Sequence, residues 1–87
     1  MGYIIQGDMT KSVFTAQYSR FMKALKRARM ERGLTQGGAA KALNKPQSFV
    51  SKCESGERRV DVVELMEFSR LYGKPINYFL GGKGNEK

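Results

Sequence analysis

Sixteen lysine and arginine side chains stand against eight carboxylates in this chain of 87 residues, a formal net charge of +8. The chemistry that such an excess supports is attraction of a polyanion: DNA, RNA or an anionic membrane face. The charge is unevenly spread. Residues 1–45 carry nine basic and two acidic side chains, net +7, whereas residues 46–87 carry seven and six, net +1. That asymmetry predicts a single cationic face rather than a uniformly basic coat. Covalent and metal chemistry are poorly supplied by comparison. One cysteine, Cys53, and no histidine leave no internal disulfide, no Cys/His metal cluster and no Ser-His-Asp or Cys-His nucleophile. The carboxylates show no pairing that would mark a general acid beside a general base. A binding module is expected, not an enzyme, with no cofactor and no metal.

The elements that position these cations must fit in one small domain, because 87 residues leave room for no second one. Mean hydropathy is −0.51 and no apolar run exceeds three residues, so no bilayer span and no membrane partner are expected. Tyr3-Ile4-Ile5 is too short for a signal-peptide core. With the lone cysteine, this points to a cytoplasmic, nucleoid-associated address.

Residues 1–17 read as an N-terminal arm, either with a short strand at Tyr3–Gln6 or without structure. A helical period begins at Tyr18, with Phe21, Leu25 and Ala28 on one stripe, and Gly33 offers the left-handed stop. Thr35 is a candidate N-cap for a second helix to Leu43, weakened by Gly37 and Gly38, each costing about 1 kcal/mol against alanine. Asn44-Lys45-Pro46 is a tight break. A third short helix spans Gln47 to Ser55, its apolar positions being Phe49, Val50 and Cys53. Asp61 and Glu64 have the spacing of an N-cap and its third-residue partner, opening a fourth helix to Tyr72. Gly73 and Pro75 close it, Ile76 to Leu80 form a last turn, and 81–87 read as a disordered tail. Five short helices and no convincing strand predict an all-α bundle in which residues 18–80 form the domain. Within it, two short helices around a three- to four-residue break, with small Ala39 and Ala40 allowing close approach, make a helix-turn-helix.

The runs Leu25-Lys26-Arg27-Ala28-Arg29, Arg32-Gly33-Leu34-Thr35-Gln36 and Gln47-Ser48-Phe49-Val50-Ser51-Lys52-Cys53-Glu54-Ser55-Gly56-Glu57-Arg58-Arg59 resemble the Cro/lambda-repressor (XRE) type of helix-turn-helix domain. Leu65 to Leu80 resembles the closing helices of that family, so the likeness covers residues 20–80. It implies a five-helix lambda-repressor-like bundle. It also implies roles. Gln36 would hold a DNA phosphate and buttress the third helix. Gln47 and Ser48 would reach base edges in the major groove, with Ser51 and Lys52 groove-facing one turn on. Arg58 and Arg59 would touch phosphates, and an Arg29–Glu54 pair would lock the first helix to the third. Residue chemistry agrees, since a glutamine amide pairs bidentately with adenine and lysine reaches guanine or phosphate. Phe49 stays open between a contact to sugar or a thymine methyl and a packing role, and Cys53 reads as core. Three departures stand out: Gly37 and Gly38 where helix formers are usual, Pro46 where a Ser or Thr often caps, and Ala28 where leucine is common. Each is expected to lower stability.

The resulting expectation is a sequence-specific regulator of transcription that binds duplex DNA, a repressor acting as a homodimer on a two-fold operator. Tyr78, Phe79 and Leu80, or alternatively Tyr3, Ile4, Ile5 and Phe14, are the candidate dimer contacts. Two alternatives remain open. One is an antitoxin or autoregulator whose N-terminal arm holds a protein partner; the other is a protein-bridging module that keeps the fold without binding DNA.

Overall fold

The computed structural model describes residues 15–80. The expected strand at Tyr3–Gln6, the arm contacts and the tail 81–87 lie outside those residues. Five helices follow in order: α1 (Ala16–Glu31), α2 (Gln36–Leu43), α3 (Gln47–Ser55), α4 (Val62–Tyr72) and α5 (Ile76–Phe79). Among the described residues there is no strand, and no helix is long and apolar enough to cross a membrane. α1 starts two residues before the expected Tyr18. Thr15 is extended, and its hydroxyl accepts from the Tyr18 N–H at 3.1 Å, so the cap sits where the periodicity alone gave no signal.

The other helix ends follow their capping chemistry. Thr35 accepts from the Gly38 N–H at 2.9 Å. Asp61 and Glu64 form a reciprocal box, Asp61 accepting from the Glu64 N–H at 2.8 Å and Glu64 from the Asp61 N–H at 3.1 Å. α3 begins after Pro46 with no side-chain cap. Asn44, at φ 62°, is the one non-glycine residue with positive φ among the described residues. Its left-handed conformation turns the chain from α2 into α3 within three residues.

Phe68, Phe79, Leu25, Val50 and Cys53 are fully buried and form the centre of the core. α1 packs on α3, α4 and α5, and α2 packs on α3 and α4. Ala39 and Ala40 are buried where α2 crosses α3, as their size requires. Phe79 is wholly enclosed, its ring 6.5 Å from that of Phe21, so it seals the core and is withdrawn from any dimer contact. Leu80 remains half exposed at 52%.

Gly38 has a tighter reason than propensity. A Cβ there would lie 3.2 Å from the Thr35 hydroxyl oxygen that caps the helix, so alanine would require that hydroxyl to shift by a few tenths of an ångström.

Candidate nucleic-acid interface

α3 is two-sided by sequence. Phe49, Val50 and Cys53 point into the core, while Gln47, Ser48 and Lys52 are exposed and Ser51 is half-buried beside them. Four polar side chains at i, i+1, i+4 and i+5 therefore occupy one outward stripe about 6–8 Å long. Phe49 is a packing residue and leaves the groove-facing set. Its ring stacks on Phe68 at 5.9 Å and 10°, which α3 can satisfy only by turning it inward.

The back of α3 is tied down by a buried polar junction. Arg29 donates from Nε to Glu54 Oε2 at 2.6 Å, from Nη2 to Oε1 at 3.1 Å, and from Nη1 to the Leu34 carbonyl at 2.8 Å. Gln36 donates from its amide to the same Glu54 Oε1 at 3.1 Å. One carboxylate thus joins the end of α1, the start of α2 and the last turn of α3. The arginine and glutamate side chains are 10% and 5% exposed. The hydrogen bond to Glu54 holds the Arg29 guanidinium above its ordinary pKa, against the burial that would lower it. Gln36, the first residue of α2, thereby makes a direct hydrogen bond to α3.

Around α3 the cations converge on aromatic rings. Arg58 lies 4.9 Å and Lys45 5.2 Å from the centroid of Phe49, so the turn before α3 and the loop after it meet at one side chain. Arg58 also donates to Glu64 Oε1 at 2.7 Å and to the Arg59 carbonyl at 3.1 Å. That hydrogen bond holds the Glu64 carboxyl below the usual carboxylate range. Arg59 rests over Tyr18 at 4.4 Å, and the Tyr18 hydroxyl accepts from the Val60 N–H at 3.2 Å. The loop is therefore pinned to both α1 and α4. Burial pushes the Cys53 thiol up to about 11, which keeps it protonated and unreactive at neutral pH.

Two residues of this surface escaped the sequence reading. Lys45 looked like part of a turn and no more. Gly37 looked only like a weak helix residue, yet a Cβ on it would sit 3.4 Å from Gln47 Oε1. The Gln47 side chain therefore lies within van der Waals reach of Gly37, between α2 and α3. With Lys41, Asn44, Lys45 and Pro46 they line a hollow of about 420 Å³.

This architecture has clear relatives. The helix-turn-helix family model matches residues 25–79. An XRE-family like protein from Pseudomonas syringae pv. tomato superposes with a TM-score of 0.72 at 42% sequence identity, over 85% of this chain and 90% of that one. The HTH-type transcriptional regulator PrpR of Mycobacterium tuberculosis is 38% identical over 64 residues, 71% of this chain. The match spans only 13% of that regulator's length. With the α1–α5 order, the α2–α3 turn and these matches taken together, the chain belongs to the XRE-type helix-turn-helix family.

Proposed function

We propose that this chain binds duplex DNA sequence-specifically and regulates transcription, with α3 in the major groove. The observation that carries the reading is the two-sidedness of α3: Gln47, Ser48, Ser51 and Lys52 face outward from a helix whose inner face is fixed by Glu54 to α1 and α2. Reading base edges demands side chains held in register by a rigid support. Gln47 and Ser48 read bases at the start of the helix, and Ser51 and Lys52 continue one turn on. Gln36, Arg58 and Arg59 lie toward the backbone and take phosphates, with Lys45 added to them.

The regulator acts as a homodimer on a two-fold operator, because one module this small covers few base pairs. A groove of about 480 Å³ between the start of α1, the loop before α4 and α5 offers the contact, with Val62 70% and Leu80 52% exposed on its rim. Occupying an operator needs no further surface, so repression is the simplest outcome.

Selection of bound duplexes from a random DNA pool at near-physiological salt tests this directly. Enrichment of a palindromic motif is the expected result. On that motif Gln47→Ala should relax preference at one base position by about 1–3 kcal/mol, whereas Arg58→Ala should weaken all sequences alike. Binding should weaken with salt at a log–log slope of roughly −0.9 per phosphate neutralised. A pool that yields no motif, or a flat salt response, rules the reading out.

A further inference from the structure

The charge excess does not all belong to the α3 side. Arg20, Lys23, Lys26 and Arg27 are all exposed on α1. They face away from Phe21, Ala24, Leu25, Ala28 and Arg29, the residues that α1 buries. Because α1 uses that buried face to pack on α3, α4 and α5, its outer stripe points away from α3, with a helix about 10–12 Å across in between. The single cationic face expected from the sequence is in fact two.

The four cations have no hydrogen bond or ion pair with another described residue. The carboxylate of α1, Glu31, is taken by Lys74 at 2.8 Å. Met30 stands within the stripe, 60% exposed, one turn beyond Lys26 and Arg27. Lys23, Lys26, Arg27, Met30 and Glu31 together line a shallow hollow of about 400 Å³.

We propose that the outer face of α1, carried by Lys23, Lys26, Arg27 and Met30, docks an acidic protein segment that brings one apolar side chain. Charge complementarity sets the sign of the partner, and Met30 sets its class. A phosphodiester backbone would satisfy the cations and leave the methionine in water. An acidic helix or strand with an apolar anchor covers both, its carboxylates on the cations and its anchor over Met30 between the lysine stems. The stripe from Lys23 to Met30 covers two turns, about 10 Å, which matches carboxylates three or four residues apart on a partner helix. The docking is independent of whether α3 reads DNA.

The test uses the full chain and two labelled probes at about 0.15 M salt, where exposed charges more than about 8 Å apart are screened. One probe is a short peptide with glutamates on one helical face around a single leucine; the other is a random-sequence duplex. Lys23→Glu combined with Arg27→Glu should weaken the peptide at least about tenfold and leave duplex affinity within about twofold. Met30→Ser should weaken the peptide about fivefold without changing the duplex. Lys52→Ala should do neither to the peptide. Since all three α1 side chains are exposed, circular dichroism should show an unchanged fold, and Lys23→Gln with Arg27→Gln repeats the test without charge reversal. The proposal fails if the native chain does not bind the peptide, or if a glutamine-for-glutamate peptide binds equally well. Equal losses for peptide and duplex in the α1 variants would also overturn it, by assigning the stripe to nucleic acid.

Discussion

Two arginine–glutamate pairs bracket α3, and their distances alone would make them equals: 2.6 Å for Arg29–Glu54 and 2.7 Å for Arg58–Glu64. Water separates them. The side chains of the first pair are 10% and 5% exposed, those of the second 43% and 11%. In the first pair the guanidinium has three protein acceptors and the carboxylate serves three donors. Breaking it leaves a charge in the interior with nothing to replace the partner. In the second, solvent reaches the arginine and screens what it gains from glutamate. The difference teaches that the inner junction is there to fix α3 and that the outer one tethers a loop which remains open to an incoming anion.

Removing a partner from each pair is the sharpest way to break that comparison. Glu54→Ala strands the Arg29 guanidinium and takes the acceptor of Gln36. It should lower unfolding free energy by about 3–5 kcal/mol, read as the urea midpoint. A loss below about 1 kcal/mol would show that water enters the junction and that the two pairs are alike. Arg29→Lys keeps the charge and loses the planar fork. One ammonium cannot reach both glutamate oxygens and the Leu34 carbonyl along the same lines, so a loss of about 2 kcal/mol is expected in the same assay.

The contrast between the pairs also marks how far the sequence could be read. The five helices were visible because their signals are local. Apolar spacing at Phe21, Leu25 and Ala28, the caps Thr35 and Asp61, and the stops at Gly33 and Gly73 each lie within a few residues of what they control. Arg29 and Glu54 are 25 residues apart, and only the family likeness put them together. The Arg58–Glu64 contact was not visible at all. Glu64 announced itself as a capping-box partner, and nothing in the spacing shows that its Oε1 also accepts from Arg58. Phe49 needed Phe68 on another helix to decide which way it turned. The approach of Gln47 to Gly37 is likewise a fact of how α2 and α3 cross, which no single helix encodes.

Asp61→Ala separates the cap from the ion pair that shares Glu64. It removes the acceptor for the Glu64 N–H while Arg58 keeps its carboxylate, so a loss of about 1 kcal/mol is expected, as for other N-caps. A much larger loss would mean that the box and the pair are one cooperative unit, and the outer site would then resemble the inner one.

Arg58→Lys should be the smallest change and the cleanest contrast with Arg29→Lys. The same substitution at the exposed pair is expected to leave the urea midpoint at neutral pH unchanged within error, because solvent replaces what the fork loses. The pH dependence has a definite sign. A carboxyl held below its ordinary value near 4.5 adds stability above that value, and the contribution is lost as pH falls through the lowered one. Lysine keeps the positive charge beside Glu64, so the native chain and Arg58→Lys should lose this contribution alike, and their stability curves should coincide from neutral to acid pH. A native advantage that instead stays constant across the whole pH range would show that Arg58 holds the loop through the Phe49 ring, with Glu64 a bystander.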